Sequence, residues 1–219
     1  MSNRHLFFGP DRIEELRGRV ARELSEKRME HVNAVEDMAF RIGLLFYGSD
    51  SDTLNLIRAA ALLHDVTKEL TDEEQLLILA EHSVKPLAED IASMPTIHAL
   101  TAALIIPERF PEFADARLVD AVRYHTTGRE GMSIIEKIIF LADYIDETRT
   151  YPSCVALREE FFDSKPQNMS DEEKVMHLDR AALKSIDNTL SYLESKGRCI
   201  HPLTLAARSD LKARLGYEA

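Results

Sequence analysis

Apolar residues recur along most of this chain at intervals of three and four, the period of helices that bury one face. Met29, Val32, Val35, Met38, Ala39 and Ile42 predict a helix over about 29–47, which Gly48-Ser49-Asp50 ends. The next helix covers about 52–63 and runs straight into His64-Asp65. Three pairs have capping-box spacing, Thr71 with Glu74, Ser133 with Glu136 and Ser170 with Glu173; they start helices that reach about His82, Ile145 and Gly197. Asp11 with Glu14 suggests the same device for a charged first helix to about Lys27. Pro86 opens a short helix, and further helices are expected over about 96–106, 118–124 and 204–215. Pro107 and Pro111 are expected to bracket a loop, and His125 to Arg129 form a polar turn. No convincing strand alternation, internal repeat or low-complexity linker is visible. The expected class is all-α, with a peripheral helix over 1–27 and the main domain over 28–219.

Composition narrows what such a bundle does. The chain has 219 residues, and 45% hydrophobic residues suffice for a real core. The net charge of −11, without clustered Lys and Arg, argues against an extended nucleic-acid surface. An anionic substrate would then need local cations to overcome the global field, a task that metal ions perform well. Cys154 and Cys199 are far apart and read as free thiols in a reducing compartment. Met1 to Pro10 lacks a signal pattern and no apolar run is long enough to span a bilayer, so the expected location is the cytoplasm.

The chemistry lies in residues that a core helix does not ordinarily place at its ends. Leu62-Leu63-His64-Asp65-Val66-Thr67-Lys68 carries an apolar helix into an imidazole and a carboxylate, with a Lys three residues on. Alone, the pair reads as a C-terminal cap. It is accompanied by His31 and His98 at helix starts, His125 at a helix end, and Asp143 within Leu141-Ala142-Asp143-Tyr144-Ile145. A carboxylate in an apolar helical run needs a partner, either a cation such as Arg149 or Lys137 or a metal ion. Four histidines and two aspartates make a nitrogen–oxygen ligand set suited to iron, manganese, cobalt, nickel or zinc rather than calcium. His5, His82, His177 and His201 stand in polar or terminal contexts and are expected at the surface.

The order His31, His64-Asp65, His98, His125, Asp143 resembles the HD-domain metal-dependent phosphohydrolases. More narrowly, the chain resembles their YqeK-type branch, the symmetrical bis(5'-nucleosyl)-tetraphosphatases. The residues that carry this are His31-Val32 with Ala34, Leu62 to Lys68, His98, Tyr124-His125-Thr126-Thr127-Gly128, Met132-Ser133, Glu136-Lys137-Ile138, and Leu141 to Ile145 with Arg149, then Gly197, Ile200, Pro202 and Thr204. Asp146-Glu147 departs from the Glu-Pro common at that place.

The resemblance implies an HD-domain helical bundle with two divalent metal ions, iron first among the candidates. One ion would take His31, His64, Asp65 and Asp143; the other would take His98 and His125, with Asp65 bridging. Asp65 and Lys68 are the expected catalytic residues. Lys68, Thr126, Thr127, Gly128, Arg129 and Arg149 are the expected substrate contacts. The implied reaction is hydrolysis of diadenosine tetraphosphate to two ADP. Another nucleotide (a deoxynucleotide, guanosine tetraphosphate or a cyclic dinucleotide) and an inactive metal-binding module remain as alternatives, and a homodimer is compatible with all of them.

Overall fold

The computed structural model describes residues 9–217, so His5 lies outside the described residues. These residues form an all-α bundle with no strand among them. The helices are α1 (Pro10–Val20), α2 (Glu26–Tyr47), α3 (Ser51–Leu63), α4 (Asp72–Glu81), α5 (Ala88–Ala92), α6 (Ile97–Arg109), α7 (Ala116–Arg123), α8 (Ile134–Ile145), α9 (Pro152–Asp163), α10 (Asp171–Ser195) and α11 (Pro202–Arg214). No helix among the described residues is long and apolar enough to cross a membrane.

The centre of the bundle is α3. From Thr53 to Leu63 every residue except Arg58 is buried, because α1, α2, α7 and α8 all pack around this helix. Its fit against α2 is close. A Cβ added at Gly43 would sit 3.1 Å from Ile57 Cδ1 and 3.2 Å from Leu54 Cδ2, so the small residue sets the helix separation. Truncating a fully buried leucine here, such as Leu62, would cost about 2–5 kcal/mol. The second central element, α8, begins at a complete capping box of Ser133 and Glu136 and buries nine of its residues. One of them is Lys137, whose ammonium pairs with the buried carboxylate of Asp179 on α10. Asp179 also accepts from Arg214 Nε of α11 at 2.9 Å, so one carboxylate ties three helices together.

The boxes at Thr71 and Ser170 are formed as the spacing predicts. Four local expectations are corrected. The first helix starts at Pro10 after Gly9, with no side-chain cap, because proline in the first turn needs no N–H partner; its Ile13, Leu16 and Val20 are fully buried in the main core. Pro107 lies inside α6 rather than ending it, since a missing N–H within the last turn costs only one ladder bond. Helix α9 has no counterpart in the pattern. His201 is buried rather than at the surface: its Nε2 lies 3.1 Å from Asp90 Oδ1 and its Nδ1 accepts from the Leu203 amide, capping α11. His82 and His177 are half-buried, the latter stacked on Phe161 at 4.5 Å.

Candidate metal centre

Five elements deliver the predicted ligands to one place. His31 lies on the buried face of α2, and His64-Asp65 directly follows the central helix α3. His98 is in the first turn of α6, His125 follows α7, and Asp143 is in the last turn of α8. Each helix buries an apolar stripe in the core, and that burial leaves its polar end residue facing the same internal point.

Three of the four imidazoles are held in one manner. Nδ1 lies 2.6 Å from the Ala61 carbonyl in His64, 3.0 Å from the Pro95 carbonyl in His98 and 2.7 Å from the Val122 carbonyl in His125. In each case the carbonyl belongs to the third residue before the histidine. A carbonyl only accepts, so in His64 and His125 this geometry assigns the proton to Nδ1 and turns a lone pair on Nε2 toward the centre. His31 is anchored by side chains instead, with Nδ1 3.2 Å from Thr148 Oγ1 and 3.4 Å from Asp146 Oδ2.

Asp65 stands between two pairs of rings. Its Oδ1 is 3.0 Å from His98 Nε2 and 3.8 Å from His125 Nε2. Its Oδ2 is 3.5 Å from His64 Nε2 and 3.7 Å from His31 Nε2. Asp143 Oδ1 completes the second group, 3.1 Å from His31 Nε2 and 4.0 Å from His64 Nε2. The triads His31–His64–Asp143 and His64–Asp65–His125 each bring their ligand atoms within 4.8 Å of one another.

The donors fit divalent cations on a further count. Nε2 of His64 is buried without a hydrogen-bond partner among the described residues. Buried polar atoms are almost always satisfied, and a coordinated cation would satisfy this one.

Guanidinium groups neutralise the carboxylates from the cleft side. Arg28 Nη1 donates to Asp65 Oδ2 at 2.9 Å, and Arg149 Nη2 donates to Asp143 Oδ1 at 2.6 Å. Burial alone would raise both carboxyls, but the field of His64 and the hydrogen bond from His98 at Asp65, and the Arg149 guanidinium with the His31 hydrogen bond at Asp143, hold each well below the usual range. For His31, burial opposes charge, yet the carboxylates of Asp143 and Asp146 carry it up to about 9. Burial, reinforced by His64 and His98, pushes His125 down to about 3. Lys68 Nζ lies 3.0 Å from the Pro95 carbonyl and 3.2 Å from His98 Nδ1, with its basicity lowered by burial.

Three cavities adjoin the cluster. A cleft of about 1020 Å³ includes Arg28, His31, Thr148 and Arg149 in its walls. A second, of about 450 Å³, is bounded by Thr126, Thr127, Thr189, His201 and Thr204; the Thr126 hydroxyl is buried there without a partner. A third, of about 360 Å³, opens beside Asp143 and Arg149. Among the predicted substrate contacts, Arg129 faces away from these walls, donating to Glu136 Oε1 at 2.5 Å and to Asp120 Oδ2 at 3.3 Å. Gly128 adopts φ +65°, and a Cβ there would meet Ala207 Cβ at 3.0 Å, so the turn is packed against α11.

Sequence reasoning missed Arg28, Asp146 and Thr148. The signal for one of them was present: Arg28 precedes His31 by three residues, one turn of α2.

A helical bundle that gathers His, His-Asp, His, His and Asp in this order defines an HD domain, and the HD domain family model matches residues 28–148. The chain belongs to this family and, within it, to the symmetrical bis(5'-nucleosyl)-tetraphosphatases. A relative of that name from Halalkalibacterium halodurans is 33% identical over 86% of this chain and 90% of its own length. One from Bacillus subtilis is 31% identical over 87% of this chain and 92% of its own. The crystal structure of an HD superfamily hydrolase from Clostridium acetobutylicum, described as involved in NAD metabolism, superposes with a TM-score of 0.76. It is 30% identical, covering 95% of this chain and 99% of that one. Membership of the HD family implies divalent metal binding, and the His/Asp groups gathered here could hold such an ion.

Proposed function

We propose that this chain is a metal-dependent hydrolase that cleaves diadenosine tetraphosphate symmetrically into two ADP. The relatives' names support the substrate and the mode of cleavage. The observation that carries the chemistry is Asp65, whose two carboxylate oxygens face different histidine pairs, as a bridge between two cations requires.

In this reading His31, His64, Asp65 and Asp143 would hold one cation, and His98 and His125, with Asp65, would hold the other. The family resemblance puts iron first; the donor set alone suits iron, manganese, cobalt, nickel or zinc. When bound, the pair would supply Lewis-acid stabilisation of phosphoryl charge and acidify a water near neutral pH. The protein's part is orientation. The backbone carbonyls fix three rings, and Asp146 with Thr148 fixes the fourth, so the ligands cost little reorganisation.

The polyphosphate lies along the large cleft. With Asp65 and Asp143 holding cations, the guanidinium groups of Arg28 and Arg149 would be free to donate to phosphate oxygens. Lys68 supplies a point charge at the far side of His98. One nucleoside enters the cavity beside Thr126 and Thr127, where the unpartnered hydroxyl offers a hydrogen bond. Arg129 acts indirectly, bracing the 125–129 turn through Glu136, with Gly128 seated on α11. Free Cys154 and Cys199 suit a cytoplasmic location for such an enzyme.

A panel of nucleotides, assayed with several divalent metals and with product analysis, tests this reading. Turnover of diadenosine tetraphosphate well above all others is the expected result. Clear turnover of a deoxynucleotide or guanosine tetraphosphate, without turnover here, would move the site to another nucleotide class.

A further inference from the structure

A substrate with two nucleosides needs two places to put them, and the cavity beside Thr126 and Thr127 provides one. We propose that the 360 Å³ cavity beside Asp143 and Arg149, with Tyr144, Tyr151, Asn188 and Tyr192 in its walls, binds the second adenosine of a dinucleoside tetraphosphate. This proposal rests on the reading above and adds a subsite to it.

Position is the first argument. The cavity contains Asp143 of the metal cluster, and Arg149 lines both it and the polyphosphate cleft. Thr189 lines this cavity and the one beside Thr126. The two cavities therefore flank one wall of α10, and a phosphate chain at the cluster has a place for a nucleoside on either side.

Surface chemistry is the second. Tyr151 is 66% exposed and Tyr192 is 52% exposed, a large aromatic area left outside the core. Single exposed aromatics are ordinary, but two at the mouth of one cavity that reaches a charged cluster make a stacking platform. A base stacks on such rings whatever its identity. Identity is read at the base edge, and Asn188 precedes Tyr192 by four residues on α10, so its amide shares a helix face with the ring. The Asn188 amide gives one N–H to the Tyr144 hydroxyl, and the N–H and carbonyl it keeps would match N6 and N7 of adenine and mismatch the two acceptors of guanine. The cavity volume falls within the range of small-molecule sites.

Calorimetric titration of metal-loaded protein with ADP tests the subsite directly. Two ADP should bind per chain, and Tyr192→Ala or Tyr151→Ala should weaken one of the two about tenfold. The same variants should raise KM for diadenosine tetraphosphate about tenfold, with a smaller change in kcat. Asn188→Ala should reduce the preference for diadenosine over diguanosine tetraphosphate. All three substitutions are at or near the surface, and circular dichroism checks that each variant is folded. A single ADP site that none of the variants changes would overturn the proposal. Failure of the wild type to cleave diadenosine tetraphosphate would sink the enzymatic reading instead, while the ADP stoichiometry would still decide the subsite.

Discussion

Metal should be worth several degrees of melting temperature to this protein, and Asp143 should carry much of that dependence. Ligand bound only by the folded state stabilises by RT ln(1 + [L]/Kd), about 2.7 kcal/mol when free metal is a hundredfold above its Kd. For a chain of this size each kcal/mol shifts Tm by about 2–4 °C, so chelation should lower Tm by roughly 5–11 °C. The fold itself should survive chelation. Without metal, Arg149 still meets Asp143 at 2.6 Å and Arg28 still meets Asp65 at 2.9 Å, so neither carboxylate is left as a bare buried charge. Asp143→Asn keeps the shape of the side chain but removes an anionic ligand from the group with His31 and His64. Calorimetry on tag-free protein, with and without EDTA, should show the chelation shift in the variant reduced by at least half. A wild-type Tm indifferent to EDTA, or an equal shift in both proteins, would refute the reasoning and make Asp143 a simple ion-pair partner of Arg149.

Asp65→Ala should abolish metal binding and turnover together, whereas Lys68→Ala should retain metal and lose roughly ten- to a thousandfold in kcat; elemental analysis beside kinetics separates them. Because His31 in the metal-free protein titrates near 9 rather than 6.5, it is protonated at pH 7.5, and metal uptake there should release about one proton into solution. The matching stability term is complete below pH 6.5 and fades as pH rises through about 9, so chelated protein alone should lose up to about 3 kcal/mol over that window in denaturant titrations. Lys137→Ala leaves Asp179 buried with only Arg214, and should cost about 3–5 kcal/mol in urea unfolding with little effect on metal stoichiometry.

How much of this was legible beforehand depended on which residues carried a periodic or a chemical signal. The helices that bury a clean stripe, α2, α3 and α8, could be read from the sequence because burial selects one face. Helix α9 hid because only Cys154, Leu157 and Phe161 are buried, while Val155 and Phe162 blur that stripe from the sides. The six proposed ligands were visible as polar residues in apolar surroundings, and the structure brings all six together. The residues that orient them were less visible. Asp146 and Thr148 lie in a short segment after α8, where no period marks a direction, and the backbone carbonyls of Ala61, Pro95 and Val122 have no residue-type signature at all. His201 shows the converse: its polar neighbours suggested the surface, but a tertiary partner, Asp90 from a segment 111 residues away, allows it to be buried.

The most direct measurement is the hydrolysis of diadenosine tetraphosphate by the metal-loaded protein in oxygen-18 water, with products separated and weighed by mass spectrometry. Attack at the second phosphorus from one adenosine predicts ADP as the only nucleotide, with one oxygen-18 in the terminal phosphate of half of the molecules. ATP together with AMP would contradict symmetrical cleavage, and equal ADP yield from protein stripped of all metal would contradict the role given to His31, His64, Asp65, His98, His125 and Asp143.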